Sequence, residues 1–238
     1  GLVDAEQLDL APDGTPWVAD ATGMRRFDPV ARRFREEPSL AGERVYGFAF
    51  DGNETLWLQR LAGLEHYRRA GDGWKLVERI AQAQGMPAVG AAGMRMDARH
   101  RLWISTTRGL YCWDPVRRTL RHYGAQSGLS SEEFIDYGIA IADGGRLLAA
   151  ATMDGSVVLV DAAMADTPGM TPSLRLDSVS VRRNGDWQPL PQGREPELPW
   201  DEHEMRVDAR LLSFDDPSSN RYWSRIDGYD RAWIAQGA

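Results

Sequence analysis

The sequence predicts an all-β fold built from repeated sheets, and two observations support this prediction. First, an Asp, a Trp and a Gly stand at steps of six residues in two frames, and two further frames keep part of this pattern; the Gly positions of the four frames lie 40, 46 and 46 residues apart. Second, each frame is surrounded by short runs rich in Val, Ile, Leu, Tyr and Trp, which Gly, Asp and Asn turns separate. Four short strands in a period of about 40–45 residues indicate the blades of a β-propeller.

Each residue of the frame has a physical role in such a blade. The Asp can close its turn by accepting hydrogen bonds from backbone N–H groups two residues further on. The Trp supplies a large apolar plate between adjacent sheets, with an N–H that needs a partner. The Gly fits where the turn needs a positive φ or where two strands approach closely. The frames are Asp97, Trp103 and Gly109; Asp51, Trp57 and Gly63; Trp17 and Gly23 after a turn two residues tighter; and Asp143 and Gly155, with Ala149 in the Trp position.

The strand signals come in the same order in every repeat. One run precedes the Asp, a second surrounds the Trp and a third follows the Gly, and the first three repeats add a fourth run. Helical repeats are disfavoured because no apolar i, i+3, i+4 spacing persists; only Ile80–Gln84 has weak helical character. The predicted strands are Glu6–Ala11, Trp17–Ala19, Met24–Phe27 and Arg33–Glu36; Val45–Phe50, Thr55–Gln59, Leu64–Tyr67 and Trp74–Arg79; Ala92–Met96, Leu102–Ser105, Leu110–Trp113 and Thr119–Tyr123; and Tyr137–Ala142, Arg146–Ala151 and Val157–Val160.

The repeat pattern stops after Asp161, and a different composition follows. Residues 166–173 are small, polar and interrupted by prolines, which predicts a linker. Residues 174–238 begin with an alternating run and an Asn-Gly hairpin signal, which predict a partial Ig-like β-sandwich with too few strands to complete two sheets. We therefore expect about four propeller blades of four-stranded antiparallel sheet in residues 1–165, followed by a linker and a truncated sandwich.

Charge and composition exclude several classes of function. The net charge is -7, from 28 Lys and Arg against 35 Asp and Glu, so the chain lacks the basic surface of a nucleic-acid binder. No apolar run reaches the roughly 18 residues that a membrane span requires. The chain has no signal peptide and starts almost directly on a repeat, so we expect it to be a piece of a longer protein.

Catalytic and metal-binding patterns are absent from the sequence. Its histidines, His66, His100, His122 and His203, have no metal-ligand spacing among them. Cys112 is the single cysteine, so an internal disulfide is impossible, and its position in a strand favours a small core residue. We find no nucleophile elbow, phosphate-binding loop or dinucleotide fingerprint. The sequence thus predicts no catalytic residue, no metal site and no cofactor.

A ligand-binding site is easier to support. In a propeller, the loops that join successive blades share one face with the turns between the middle strands. On that face the sequence places Arg44, Arg60 and Arg108, with Tyr46 and Tyr137 near the channel. Aromatic and guanidinium groups around one mouth suit a carbohydrate or anionic ligand. Taken singly, each of these side chains is more typical of an ordinary surface than of a binding site.

The four blades also leave unpaired sheet edges. We therefore expect self-association, or further N-terminal sequence, to cover them.

The repeats resemble the regulator-propeller repeats of periplasmic sensor domains, which read approximately D-x-x-G-x-L-W-I-G-T-x-x-G-L. The repeat at Asp51 departs from this pattern, with Gln59-Arg60-Leu61 in place of the Gly-Thr segment. The segment Gly128–Phe134 resembles the opening of the terminal repeat of that family. The residues that match the main repeat best are Asp97, Leu102, Trp103, Ile104, Thr106, Gly109 and Leu110.

The downstream segment resembles the Y_Y_Y domain that follows such propellers. Ile226 replaces the usual Leu of its signature, which is a conservative change in a core position. The matching residues are Leu212, Ser213, Phe214, Pro217, Tyr222, Ile226, Gly228, Asp230 and Trp233.

The combined resemblance implies the extracytoplasmic, periplasmic sensor region of a bacterial receptor. In that family a membrane helix follows, and then a histidine kinase, sometimes a hybrid with a DNA-binding regulator, or a GGDEF diguanylate cyclase. The chain would then reach the membrane only through sequence beyond its C-terminus. Two alternatives stay open: a propeller lyase, which needs a catalytic histidine such as His100 or His122 and a divalent metal in the channel, and a protein-interaction propeller.

Overall fold

Antiparallel strands and four short 3-10 helices make up the regular structure of the described residues. In this computed structural model the described residues are 4–164, 173–191, 198–199, 202, 204–212 and 222–236. The chain forms two compact units, Gly1–Thr167 and Pro168–Ala238. The 3-10 helices are Pro38–Leu40, Gln82–Gln84, Ala125–Ser127 and Asp143–Gly145. The weak helical signal near Ile80 therefore corresponds to one 3-10 turn after a strand.

The first unit contains four antiparallel sheets, in which the strands are hydrogen-bonded in chain order. This confirms the predicted all-β fold and its partial propeller. As predicted, the fourth sheet has three strands among the described residues. Blade 1 is β1 (Gln7–Leu10), β2 (Pro16–Asp20), β3 (Gly23–Asp28) and β4 (Arg33–Glu36); blade 2 is β5 (Gly47–Asp51), β6 (Thr55–Arg60), β7 (Gly63–Ala70) and β8 (Gly73–Ile80); blade 3 is β9 (Ala91–Met96), β10 (Leu102–Thr106), β11 (Gly109–Asp114) and β12 (Thr119–Tyr123); blade 4 is β13 (Phe134–Ala142), β14 (Leu147–Thr152) and β15 (Val157–Asp161).

The second unit contains two further antiparallel sheets, as expected for a partial sandwich. In the first, the long strand β16 (Ser173–Arg183) pairs with β17 (Asp186–Pro189) and β18 (Met205–Leu212); in the second, β19 (Tyr222–Ser224) pairs with β20 (Ile234–Gln236). Asn184 and Gly185 both have positive φ, 52° and 91°, and join β16 to β17 as the hairpin signal predicts. Most of the predicted linker lies outside the described residues. The same is true of His203, Ser213, Phe214 and Pro217.

Each middle strand of the propeller divides its side chains between two neighbouring sheets. In β6, Leu56 and Leu58 join the apolar cluster shared with blade 1, whereas Trp57 joins the cluster shared with blade 3. In β10, Trp103 likewise packs against blade 4. Strands that are buried on both faces read as continuous apolar runs instead of alternating ones, which explains sequences such as LWIST. The core therefore lies between the blades, in three clusters.

The Gly of the frame satisfies both predicted conditions at once. Gly63 has a φ of +144°, and a Cβ added there would lie 2.4 Å from the carbonyl oxygen of Ile80. Gly23 has a φ of +131°, and its added Cβ would lie 2.5 Å from the oxygen of Leu40. In blade 4, Gly155 has a φ of +84° but open space around it, so only the backbone conformation requires glycine there.

The Asp of the frame binds its Trp directly in blade 3. Asp97 Oδ2 accepts hydrogen bonds from Trp103 Nε1 at 2.9 Å and from Arg101 Nε at 2.8 Å, and its Oδ1 accepts the backbone N–H of Arg101. The guanidinium of Arg101 also donates to the carbonyl of Ala162, just after β15. The pair is almost fully buried, so it joins the turn of blade 3 to the end of blade 4.

We call the hydrogen bonds of Asp97 with Arg101 and Trp103 the brace of blade 3, and blade 2 has no equivalent of it. Thr55 stands where blade 3 has Arg101, and Asp51 is hydrogen-bonded to His100 of the next blade. The indole N–H of Trp57 is therefore without a hydrogen-bond partner among the described residues. The Trp57 ring stacks on His66, with 4.3 Å between the ring centroids. The frame thus fixes the position of the Trp, but its N–H is satisfied by the frame Asp in blade 3 and not in blade 2.

We predict that Gly63→Ala destabilises the chain much more than Gly155→Ala. Both positions carry a positive φ, which costs an L-residue about 1–2 kcal/mol. At Gly63 the methyl group would also overlap the Ile80 carbonyl, so we expect a total loss of about 3 kcal/mol or more. Urea unfolding measures both free energies, and equal losses would contradict the close approach.

We predict that Asp97→Ala lowers the free energy of unfolding by about 3–5 kcal/mol, because it leaves Arg101 buried without its carboxylate. The matched control is Asp13→Ala in blade 1, where the exposed carboxylate is hydrogen-bonded to Thr15. We expect the control to cost about 1 kcal/mol or less. Quenching of tryptophan fluorescence by solvent should increase in Asp97→Ala but not in Asp13→Ala, because Trp103 loses its hydrogen-bond partner only in Asp97→Ala. An unchanged denaturation midpoint for Asp97→Ala would refute the stabilising role of these hydrogen bonds.

Candidate ligand-binding face

The predicted face is formed by contacts between turns and inter-blade loops. Arg60, the last residue of β6 before the turn to β7, donates from Nη2 to the carbonyl of Leu40 in the connection between blades 1 and 2. The N–H of Gly109, next to Arg108, donates to the carbonyl of Glu132 in the loop between blades 3 and 4. These bonds place the middle turns and the connecting loops side by side, as a propeller requires.

Arg60 is a structural residue of this face. Its side chain is buried and donates to Glu65 at 2.9 Å and to the carbonyls of Glu43 and Leu40. Burial works to raise the pKa of Glu65, but hydrogen bonds from Tyr67 and two arginines hold it below its usual value. Burial, together with the bond to Glu65, raises the pKa of Tyr67 to about 12. The donors of Arg60 are thus occupied inside the protein.

Arg44 lies in the loop before blade 2, between two carboxylates. It pairs with Glu6, and with Asp4 at 3.1 Å, and its guanidinium carbon lies 6.0 Å from the centre of the Tyr46 ring. The hydrogen bonds to Glu6 and then to Asp4 raise the pKa of Arg44. Its positive charge is therefore matched by two negative charges from the N-terminal segment.

Tyr137 reaches the same N-terminal segment from blade 4. It lies in an irregular part of β13, between Phe134 and Ile139, where the register with β14 shifts. Its φ is +61°, which is uncommon for a non-glycine residue, and its side chain is half exposed. Its hydroxyl donates to the carbonyl of Ala5 at 3.3 Å. Burial, followed by the nearby charge of Glu6, raises the pKa of Tyr137.

Three of the five predicted residues therefore come together. We call Asp4, Glu6, Arg44, Tyr46 and Tyr137 the mouth cluster. It combines two aromatic rings, a phenolic hydroxyl and a cation held between two carboxylates. Arg60 is buried nearby, and the exposed Arg108 lies beside the turn of blade 3, where its carbonyl accepts from Tyr111 and His122. Sequence analysis missed Asp4 and Glu6, because nothing in the repeat pattern pairs them with a residue about 40 positions away.

The described histidines have partners outside the mouth cluster, and His66 and His100 both interact with Asp51. His100 Nδ1 lies 2.6 Å from Asp51 Oδ1, across blades 3 and 2. His122, on the outermost strand of blade 3, contacts the Arg108 carbonyl at 2.9 Å. Among the described residues there is no group of three or more His, Cys, Asp or Glu side chains that could hold a metal ion.

Cys112 is buried in the core between blades 3 and 4, as predicted. Burial raises the pKa of its thiol to about 12, so the thiol is protonated at neutral pH. In the part of the chain that the structure describes, no helix is long and apolar enough to cross a membrane.

Solved structures with the same fold include extracellular regions of bacterial proteins. One is the extracellular domain of the protein designated hybrid two component system BT3049 from B. thetaiotaomicron, with a TM-score of 0.63 and 14% identity over 98% of this chain and 32% of that chain. Another is the extracellular domain of the one component system BT4673 from the same organism, with a TM-score of 0.51 and 12% identity over 98% of this chain and 45% of that chain.

A third similar structure is PorZ, a surface component of the type-IX secretion system of Porphyromonas gingivalis. Its TM-score is 0.52, with 13% identity over 90% of this chain and 39% of that chain. This chain spans less than half of each of these three proteins. No protein-family model and no curated protein matches the sequence. At such low identity, the similarity establishes the fold alone.

We predict that His100 titrates above the usual imidazole pKa of about 6.5, because the hydrogen bond and charge of Asp51 raise its pKa. The stabilisation is fully present below pH 6.5 and is lost as the pH rises through the higher folded-state pKa. It is small, since the His100 side chain is 70% exposed. NMR titration of the imidazole protons should give a lower pKa in Asp51→Asn, and an identical pKa in both proteins would argue against the bond.

Proposed function

We propose that this chain is the extracytoplasmic ligand-sensing region of a bacterial transmembrane signalling receptor. The observation that carries the proposal is the fold similarity to the BT3049 extracellular domain, which extends over 98% of this chain. The second neighbour, the BT4673 extracellular domain, supports the same role. The regulator-propeller frames provide support that is independent of these structures. We assign no catalytic step to this chain.

The proposed receptor is a two-component sensor histidine kinase, or a diguanylate cyclase, located in the inner membrane. In this proposal residues 1–165 are the regulator propeller, 166–173 the linker and 174–238 a truncated Y_Y_Y domain. The sensing region lies in the periplasm, and the output domain lies in sequence beyond this chain. A ligand that prefers one arrangement of the propeller would shift the receptor toward it, and the second unit would pass this change to the membrane.

The ligand site in this proposal is the mouth cluster. Its two carboxylates outnumber its one guanidinium, and the cation of Arg60 is balanced by Glu65. An anion would therefore meet a surplus of negative charge, so we favour a neutral carbohydrate over an anionic ligand. Sugar rings stack on aromatic faces such as that of the half-exposed Tyr137, while carboxylates and guanidinium groups bind their hydroxyl groups. Tyr46 is partly buried against the core between blades 2 and 3, so it contributes the exposed part of its ring.

We predict that Tyr46→Ala and Tyr137→Ala each weaken oligosaccharide binding at least tenfold, which is about 1.4 kcal/mol. The matched control is Tyr229→Ala, because Tyr229 is 83% exposed in the second unit. Isothermal titration calorimetry with neutral manno-, xylo- and arabino-oligosaccharides measures the affinities, and polygalacturonate fragments test for an anionic ligand. Equal loss in the control, or binding of the acidic fragments alone, would refute the assignment of this site.

The receptor role has its own test. The complete gene should encode a membrane segment and a kinase or cyclase after this region, and a reporter strain should respond to the oligosaccharide that binds in vitro. The response should disappear in Tyr137→Ala while the receptor level in the membrane stays the same. A gene that encodes neither a membrane segment nor an output domain would contradict the proposal, whatever the propeller binds.

A further inference from the structure

The strand β1 and the segment before it contact each of the other three blades through polar groups. Segment 4–6 meets Arg44 in the loop before blade 2 and Tyr137 of blade 4. Within β1, Gln7 reaches blade 2 and Asp9 reaches blade 3. The contacts of Gln7 and Asp9 lie outside the mouth cluster, but they are made by the strand that carries segment 4–6.

The side chain of Gln7 pairs with blade 2 in the manner of a neighbouring strand. Its Nε2 donates to the carbonyl of Phe48 at 2.9 Å, and its Oε1 accepts the N–H of Phe48 at 3.0 Å. Phe48 lies on β5, the first strand of its sheet, so these are backbone groups that a sheet edge leaves unpaired. Gln7 is only 4% exposed, and the loss of these bonds would leave buried polar groups unsatisfied. Gln7 therefore fixes β1 to blade 2.

Asp9 forms an ion pair with Arg95 of blade 3, with 2.9 Å between Asp9 Oδ2 and Arg95 Nη1. Each of the two side chains has a second contact. Asp9 Oδ1 accepts the N–H of Leu10 at 2.8 Å, and Arg95 Nη1 donates to the carbonyl of Met94 at 2.7 Å. Because these contacts already restrain both side chains, their pairing costs less side-chain entropy than that of an ordinary surface ion pair.

This ion pair occupies a position that the repeat pattern leaves open. On the first strand of each blade, the residue opposite the Trp position is Asp9, Ala49, Arg95 and Ala140 in blades 1 to 4. Blades 2 and 4 have alanine there, so the structure of a blade does not require a charged side chain at this position. The opposite charges of Asp9 and Arg95 therefore stabilise the contact between blades 1 and 3, not either blade by itself.

On the side of blade 1 that faces blade 2, both side chains of β1 are polar. Gln7 and Asp9 lie opposite Ala19 and Trp17 of β2, and the last two belong to the apolar cluster shared with blade 2. The apolar contact is thus made by β2. Segments with few buried apolar contacts open locally at a lower free energy than core strands do. The position of β1 therefore depends on the polar contacts of Gln7 and Asp9.

We propose that Gln7, Asp9 and Arg95 are positioning residues of the ligand site. They fix β1 against blades 2 and 3, and so they hold segment 4–6 in the mouth cluster. This inference rests on the proposed function of that cluster and extends its support to a residue of blade 3. Asp9 lies three residues beyond Glu6, which is about 10 Å along a strand, so Arg95 acts on the cluster only through β1.

Hydrogen exchange of backbone amides, followed by NMR in the 238-residue chain, tests the proposal without a ligand. The N–H groups of Glu6 and Ala11 report on the two ends of β1, since both are hydrogen-bonded across the hairpin of β1 and β2. In Arg95→Met, exchange should become about threefold faster at both amides, as expected for the loss of a partly exposed ion pair. Arg95→Lys can still pair with Asp9, so it should keep the original rates.

The matched control is Arg35→Met. Arg35 pairs with Asp28 at 2.6 Å in the same blade as Asp9, but it lies on β4 at the opposite edge of the sheet. The control makes the same change in charge and should leave exchange at Glu6 and Ala11 unaltered. Circular dichroism should show that all variants fold.

Three exchange results would overturn the proposal. Faster exchange at Ala11 alone would show that the contacts of β1 act independently of one another. Unchanged exchange at both amides would show that the ion pair with Arg95 does not hold the strand. Equal acceleration in Arg35→Met would reveal an effect of charge that does not depend on the contact.

Calorimetry with neutral manno-, xylo- and arabino-oligosaccharides separates this inference from the proposed function. Arg95→Met should bind the oligosaccharide about threefold more weakly, and Arg95→Lys should bind it as the original chain does. Faster exchange with unchanged affinity would overturn the role of Arg95 in the ligand site. If the original chain binds none of these sugars, the proposed ligand class fails, whereas the exchange rates still decide whether Arg95 positions segment 4–6.

Discussion

Burial of each sheet between two neighbours is the physical constraint on which the propeller depends. A single blade has two apolar faces and cannot cover either by itself, so each blade is stable only as part of a stack. The brace of Asp97, Arg101 and Trp103 shows how polar groups are accommodated in this arrangement. The carboxylate satisfies the indole N–H, and the arginine carries the connection on to the end of blade 4. Apolar packing and the hydrogen bonds of these buried polar groups thus both connect blade 3 with blade 4.

The same constraint leaves side chains at the loop end of the blades available for binding. Between the blades the side chains are buried in three clusters, whereas Arg44 and Tyr137 at the loop end stay partly exposed. Segment 4–6 lies across this end and meets Arg44 from the loop before blade 2 and Tyr137 from blade 4. Residues from distant parts of the sequence are held by rigid sheets, which is the arrangement that a pre-organised ligand site requires.

The repeat frame predicted the blades because its residues recur at fixed local spacings, from which the Gly63 turn and the position of Trp103 on its strand follow. Contacts between sheets were much harder to predict. The side chain of Gln7 makes two hydrogen bonds with the backbone of Phe48, at 2.9 and 3.0 Å. Blades 2 and 3 have glycines, Gly47 and Gly93, at the position that corresponds to Gln7, so the repeat pattern does not predict this contact. The buried pairing of Arg60 with Glu65 also depends on the fold, since a sequence gives no depth for an arginine in a turn. The mouth cluster was therefore only partly predictable.

The Trp-less blade also forms one side of the mouth cluster. In β13 of that blade Tyr137 has a φ of +61°, and its hydroxyl donates to the carbonyl of Ala5. Arg44, in the loop before blade 2, pairs with Asp4 and Glu6 of the same N-terminal segment. Segment 4–6 therefore connects blade 4 with the loop between blades 1 and 2. A ligand that binds the mouth cluster in one arrangement of these parts would favour that arrangement, which is the kind of change that the proposed receptor has to transmit.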